Sequence, residues 1–463
     1  MLKTQNQVIV QSLGAAETVT GSKHLLKTPE LAVLIDCGLF QGLKELRQRN
    51  WVKFPVDPAE IDVMLLTHAH LDHCGYIPLL VKNGFKGKIL MSPPTKELAQ
   101  LILLDSAKIQ EEDAGKANRG KYTKHENAEP LYTVDDAKKA FESFVAVDEH
   151  VVTQLSPNIA FQFIKNGHIL GSYFIDMHCF GKKIVFSGDI GRFTSDYLAP
   201  PTLLKATDFL FLESTYGDRL HGTKDPSIEL GETVNETLQQ HGNILIPAFA
   251  VGRAQELMKI LSDLKENNTV PKNLPVYLDS PMGASVTDLL KRFPAWHRLS
   301  TTDCEDIYKD VNINREYQGT QKIAADKTPK VVIAASGMLT GGRVLEYMKH
   351  YAPQKNNTIL MVGYQGEGTR GRDLLEGKKE VKIHGSYVQV NARVVNISGL
   401  SAHGDQGEMM QWLNAFEKKP QRIFLIHGEV GSMKVFKDKI EADLKIETQM
   451  MPKTGEVELF KTS

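Results

Sequence analysis

The 463-residue chain reads as an α/β protein built from two domains, one inserted into the other. Three observations predict this. The length exceeds what one ordinary core supports, so two domains are expected. The first half carries short apolar runs closed by polar residues and glycine, the pattern of buried strands. From about residue 215 continuous apolar strands alternate with helices, and near the C-terminus the first pattern returns. Alternation of that kind predicts a parallel sheet with crossover helices.

The elements follow in order. VIVQSLG (8–14), LAVLIDCG (31–38) and IDVMLLTHAH (61–70) read as strands, as do IAFQFIKNGHILGS (159–172), KIVFSGDIG (183–191) and FLFLESTYG (209–217). Each ends in reactive side chains, where open α/β sheets gather their ligands. PTKELAQLILLDSAKIQEED (94–113) has helical spacing. TVDDAKKAFESFVAV (133–147) is expected to be helical too, opening with a capping box from Thr133 and Asp136. The polar stretch 114–130 between them reads as a surface loop. Segments 242–264, 274–293 and 330–351 each read as strand, loop, helix, and TILMVGYQ (358–365) adds a strand. ARVVNISGLSAHGD (392–405) and RIFLIHGE (422–429) are strands ending in polar clusters.

Composition excludes several classes. Hydrophobic content is 41% and charged content 24%, as in soluble globular proteins. The formal net charge of −1 gives no global field toward nucleic acid, so any phosphate-binding surface must be local. Cys37, Cys74, Cys179 and Cys304 form no CxxC pair, which suits a reducing compartment and argues against a cysteine-type zinc site. Cys74 is expected to pack. The first residues lack a leader pattern and no apolar run approaches 18 residues, so a cytoplasmic protein with no membrane partner is expected.

The densest chemistry lies in THAHLDHCG (67–75), where His68, His70, Asp72 and His73 follow a buried strand. An extended loop can aim His68 and His70 at one metal, and the next helical turn can aim Asp72 and His73 at a second. Imidazole and carboxylate suit zinc and leave room for water. One segment cannot complete two shells. His168 in NGHILGS and Asp189 in FSGDIG stand at other strand ends beside glycines, which allow backbone and metal to come close. Asp189 is the natural bridging carboxylate. Asp36 in IDCG is expected to orient ligands by hydrogen bonds.

HAHLDH, His168, Asp189 and Asp36 occur in the order and setting of the metallo-β-lactamase superfamily, which the chain resembles. FLESTYG with Glu213, ISGLSAHGD with His403 and FLIHGE with His427 resemble motifs A, B and C of the β-CASP nucleases. Within them the likeness is to the pre-mRNA 3′-end-processing endonuclease and its bacterial relatives, over roughly residues 8–460.

That resemblance implies an αββα sandwich in two parts, 1–213 and 400–463, split by a β-CASP domain at 214–399 that acts as a lid. It implies two zinc ions, with manganese able to replace them. His68, His70, His168 and Asp189 would hold one, and Asp72, His73, Asp189 and His427 the other. It implies hydrolysis of single-stranded RNA bound between the domains, by attack of an activated water on the scissile phosphorus, with Asp72, His403, Glu213 and Asp36 in the catalytic machinery. His403 would be the general acid, oriented by Glu213. In the family a histidine at motif C goes with RNA-processing members, so His427 tilts the substrate toward RNA. Endonucleolytic cleavage is expected, with 5′-exonuclease activity and a homodimer left open. Because the chain stops soon after 455–460, the extensions of some family members are not expected. The rival reading, a small-molecule esterase or thioesterase on the same sandwich, gives no use for Glu213, His403 or the insertion. A di-iron oxidoreductase would show Glu in place of His70.

ASGMLTGGR (335–343) lies between a strand and a helix. Ser336, Gly337 and Met338 are expected to offer backbone N–H groups to phosphate at the helix N-terminus, with Arg343 adding charge. Arg253 and the arginines of GEGTRGR (366–372) extend that expectation. GEGTRGR also fits G-x-G-x-x-G, but no complete βαβ unit follows it, so a dinucleotide site is rejected. The remaining histidines are expected to be surface or satisfied core residues, His384 staying unassigned.

Overall fold

Alternation along the strand Phe209–Glu213 sets the layers around it. Successive side chains point to opposite faces. Phe211 stacks on Phe186 at 4.6 Å and on Phe424 at 4.9 Å, its in-register neighbours on the two flanking strands. Phe209, on the same face, stacks on Phe460 of a second sheet at 5.7 Å. Leu210 and Leu212 turn the other way and join Val185, Ile423, Leu425, Met409, Trp412 and Phe436 in a buried cluster. The first face thus meets a sheet and the second meets helices. Glu213 falls on the phenylalanine side at the strand's end and is fully buried.

The computed structural model describes residues 2–120 and 127–462. They divide into two compact units: Met1–Thr194, Pro200–Leu220 and His403–Ser463 form one, Ser195–Ala199 and His221–Ala402 the other.

The first unit holds two seven-stranded sheets. One runs Gly455–Lys461, Gln7–Gly14, Lys23–Lys27, Ala32–Ile35, Val63–Leu65, Lys88–Met91, Phe144–Ala146. The other runs Glu447–Met450, Arg422–Ile426, Phe209–Glu213, Lys182–Phe186, Tyr173–Cys179, Ile159–Lys165, Thr153–Ser156. The helices Gln406–Asn414 and Val430–Leu444 cover the second sheet, completing the sandwich expected of a metallo-β-lactamase fold. Each sheet is antiparallel at one end and parallel at the other. Asp36, His68, Asp189, Glu213 and His427 all stand at or just beyond carboxyl ends of parallel strands.

The second unit is built on a six-stranded sheet whose recorded pairings are all parallel. Its order is Asn312–Asn314, Val276–Asp279, Val331–Ala334, Ile244–Pro247, Thr358–Val362, Arg393–Ile397. Crossover helices return the chain between strands. One of them, Pro281–Arg292, starts where Ser280 Oγ accepts a bond from Gly283 N at 3.0 Å and proline fills the first position.

Local departures have local causes. Thr133 and Asp136 form the capping box, but the helix is only Val134–Ala140. Phe144–Ala146 leaves it to pair in parallel with Lys88–Met91, because aromatic and β-branched residues suit an open sheet edge. The helix expected over 94–113 runs from Pro93 to Gly120, absorbing the start of the expected surface loop. Residues 121–126 of that loop, with His125, lie outside the described residues. The segment 61–70 is a strand running into a polar loop, as expected, with the ladder confined to Val63–Leu65.

Trp412 is wholly buried, stacked on Phe174 at 5.1 Å, edge-on to Phe416, and its Nε1 donates to Thr202 O at 2.9 Å. Trp412→Ala should destabilise the first unit by about 3–5 kcal/mol, read as a lower denaturant midpoint; an unchanged midpoint would contradict this account of the layer.

Candidate metal centre

Local geometry delivers each side chain. Residues two apart in an extended segment share a face, so His68 and His70 point together. His70, at φ −65 and ψ 149, caps the one-turn helix Leu71–Cys74. That turn, closed by His73 N donating to His70 O at 2.9 Å, swings Asp72 and His73 to a neighbouring position. His168, Asp189 and His427 arrive on loops after three strands of the second sheet. The glycines beside them let neighbouring backbone come close. Gly188 sits at φ +52, and a Cβ at Gly191 would lie 1.9 Å from Gly167 O. The loops carrying His168 and Asp189 touch only because that atom is missing.

Two groups of donor atoms result, and Asp189 faces both. His70 Nδ1 lies 3.1 Å from His68 Nε2 and 3.1 Å from His168 Nε2. Asp189 Oδ2 is 3.5 Å from His68 Nε2 and 3.4 Å from His168 Nε2. In the second group His73 Nε2 is 3.1 Å from His427 Nε2, and His427 Nε2 is 3.4 Å from Asp72 Oδ2. Asp189 Oδ1 stands 3.4 Å from His73 Nε2 and accepts no hydrogen bond although it is sealed from solvent.

These atoms fit a divalent cation in each group. Two imidazole nitrogens held tetrahedrally at about 2.0–2.1 Å lie roughly 3.3 Å apart. On three of the histidines the opposite ring nitrogen is already engaged. His68 Nδ1 meets Thr67 Oγ1 at 3.0 Å, His73 Nδ1 meets Asp36 at 2.7 Å, and His427 Nδ1 meets Thr215 Oγ1 at 3.1 Å. Such partners fix the tautomer that turns Nε2 inward as an acceptor. Asp36 is itself fixed by Thr67, whose N and Oγ1 both donate to it at 2.8 Å. Thr67 and Thr215 were not singled out in the sequence; their one signal is adjacency to His68 and two-residue separation from Glu213.

Electrostatics agree. Burial, then His73, holds His68 well below the ordinary imidazole value, and burial brings His70 down to about 4 despite Asp72 and Asp189. Burial opposes ionisation of Asp189, yet His427, His73 and His68 hold its carboxyl well below the usual range. Burial would lower His73, but Asp189 and Asp36 push it well up. Positive charge is therefore favoured between those two carboxylates, from a proton or a metal.

His403 and Glu213 form a second feature beside this one. His403 Nδ1 lies 3.1 and 3.2 Å from the two Glu213 oxygens, and its ring centroid is 4.6 Å from that of His168. Glu213 also accepts from Ile190 N at 2.6 Å. Burial would lower the His403 pKa, but Glu213 raises it, to about 9. The carboxylate beside it thus favours the protonated form of His403.

The expected phosphate loop differs from its sequence reading. The helix begins at Val344, so Ser336, Gly337 and Met338 lie well before its N-terminus. Ser336 Oγ instead accepts from Thr340 N at 3.0 Å and Gly341 N at 3.3 Å, closing the loop on itself. Arg343 does not face outward. Its guanidinium donates to Asp279 at 2.6 Å, Asn314 O at 3.3 Å and Arg315 O at 2.7 Å, tying the loop to the neighbouring strands. Arg253 is likewise buried and paired with Glu256. Cys74 packs, donating to Ala69 O at 3.4 Å. His24 departs from the expected satisfied histidine: it is buried and neither ring nitrogen makes a hydrogen bond.

Comparison with known proteins places this geometry. The chain is 33% identical over 426 residues to ribonuclease TTHA0252 of Thermus thermophilus, covering 90% of this chain and 92% of the relative. The chain belongs to the β-CASP family of the metallo-β-lactamase superfamily. Three family models match in chain order. They are the metallo-beta-lactamase superfamily over 21–225, the Beta-Casp domain over 254–374, and the Zn-dependent metallo-hydrolase RNA specificity domain over 387–452. This β-CASP chain is also 32% identical to transcription termination factor FttA of Methanocaldococcus jannaschii, covering 95% of the chain and 70% of the relative. A crystal structure of a protein of unknown function from Enterococcus faecalis V583 shares the fold, with TM-score 0.52, 13% identity, 98% of this chain and 100% of that one covered. No described helix is long and apolar enough to cross a membrane.

Asp36→Asn should weaken metal binding by about 10–100-fold with the fold intact, because it removes the negative charge and one of the two acceptor oxygens that serve Thr67 and His73. Competition against a chromophoric chelator measures this, and an unchanged affinity would rule the orienting role out.

Proposed function

We propose that the chain is a metal-dependent ribonuclease that hydrolyses phosphodiester bonds in single-stranded RNA, chiefly as an endonuclease. The observation that carries this reading is the Glu213–His403 pair set beside two groups of donors that both face Asp189. A small-ester hydrolase on this sandwich needs no protonated imidazole there. A leaving nucleotide oxygen does, since it departs poorly as an alkoxide. The relatives' names, a ribonuclease and a transcription termination factor, support an RNA substrate.

The residues assign as follows. His68, His70, His168 and Asp189 would hold one ion, and Asp72, His73, His427 and Asp189 the other, with zinc favoured by the imidazole and carboxylate donors. Bound there, the ions would acidify water and neutralise phosphoryl charge. Asp36, Thr67 and Thr215 hold the histidine rings in register. Glu213, fixed by Ile190 N, accepts from His403 Nδ1 and leaves Nε2 to carry the proton to the leaving oxygen. Products would bear a 5′-phosphate and a 3′-hydroxyl. Ser336, Gly337 and Met338 remain proposed phosphate contacts through their loop, with Arg343 supporting that loop from within.

Incubation of internally labelled single-stranded RNA with the zinc-loaded protein should give products with those ends, and chelator should abolish them. Cleavage that survives complete metal removal would overturn the mechanism. His403→Ala should retain bound metal and lose about 10²–10⁴-fold in kcat. In Glu213→Gln the imidazole loses its carboxylate and becomes a stronger acid. The alkaline limb of the kcat profile, where the general acid is deprotonated, should therefore move to lower pH. A limb that stays in place would exclude Glu213 as the group that sets it.

A further inference from the structure

A second surface carries chemistry that the metal centre does not use. The segment after Phe40 places Lys44, Arg47, Arg49 and Lys53 within ten positions, against one acid in the run, Glu45. Lys44, Arg47 and Lys53 are exposed, and among the described residues they enter no ion pair. Trp51 stands between them with 61% of its surface exposed, whereas Trp412 is wholly buried. Tryptophan joins a large apolar face to a polar N–H, which is why it is enriched at contact surfaces.

The segment is built, not loose. Asn50 clamps Phe40 from both sides, accepting from Phe40 N at 2.9 Å and donating to Phe40 O at 2.8 Å. Arg49 lies over the Phe40 ring, 4.1 Å from its centroid. The same strand of chain is bonded directly to the turn that bears Asp72 and His73. Cys37 N donates to His73 O at 2.7 Å, Leu39 N to Leu71 O at 3.0 Å, and Tyr76 N to Cys37 O at 2.8 Å. Beside Trp51 opens a cavity of about 760 Å³, walled by Val52, Lys53, Phe54, Tyr76 and Leu131 among others. Its one acid, Asp57, accepts from Ala59 N at 3.0 Å.

We propose that Trp51, with Lys44, Arg47 and Lys53, is a stacking and phosphate-binding platform for the single-stranded RNA that flanks the scissile bond. The proposal rests on the ribonuclease reading above and adds where the strand is held. Exposed aromatic faces take bases of any sequence, while cations beside them follow the backbone. Two lysines and an arginine that enter no ion pair among the described residues, carried in one ten-residue run with an exposed indole, favour a polyanion over a protein partner, because lysine is depleted in protein interfaces.

The test uses the metal-loaded protein and a fluorescein-labelled 20-nucleotide oligo(U) with phosphorothioate linkages, followed by anisotropy. Trp51→Ala should raise Kd about tenfold, within the range for loss of one stacked base, and Trp51→Phe should restore most of the binding. The triple variant Lys44→Ala, Arg47→Ala, Lys53→Ala should flatten the plot of log Kd against log salt by about 2, at roughly 0.7 per phosphate contact. On cleavable RNA the Trp51→Ala loss should fall on KM. Unchanged Kd, salt slope and KM in these variants would overturn the platform, including the case in which Trp51 serves a protein instead. RNA that binds through Trp51 but is never cut would leave the platform standing and overturn the ribonuclease reading.

Discussion

Asp189 is the point on which the first unit turns. Its two oxygens face two separate groups of nitrogen donors at 3.4–3.5 Å, and the side chain is 1% exposed. A buried carboxylate is costly unless charge or hydrogen bonds compensate it. Here His427, His73 and His68 supply the compensation, and each comes from a different strand end or turn. The two sheets must therefore bring their carboxyl ends to one place. Tyr173 N bonding to Thr67 O at 3.0 Å, and the glycine contact between the His168 and Asp189 loops, keep them there.

The same layering that buries the sheet also delivers Glu213. A strand that turns Phe209 and Phe211 toward the facing sheet must turn Glu213 that way too. At the strand's end the apolar stack stops and the carboxylate meets His403 and the Ile190 amide. Packing and chemistry thus share one periodicity. A register slip of one residue would exchange the phenylalanines with the leucines and remove Glu213, the partner of His403, from the site.

Charge is managed locally. With a formal net charge of −1, the protein does not attract a polyanion as a whole. Arg343, which looked available in the sequence, is consumed inside the second unit by Asp279 and two carbonyls. Lys44, Arg47 and Lys53, by contrast, stay in water. Basic residues in a loop cannot be sorted into these two kinds without the fold, because the difference lies in whether a distant carboxylate reaches them.

The sequence by itself determined what is local. Strand and helix alternation, the Thr133–Asp136 capping box and the dense HAHLDH segment were all legible, because periodicity and short spacing set them. So was the membership of the family, carried by motifs in order. The tertiary structure decided what depends on distant chain. It split the expected helix at Phe144, since an open sheet edge outcompeted helical propensity. It drew His427 to 3.1 Å from His73 across 354 positions, and it revealed Thr67 and Thr215 as the groups that orient two of the rings. Short-range patterns record which side chains stand at a strand's end; only the packing of two sheets sets which ends meet.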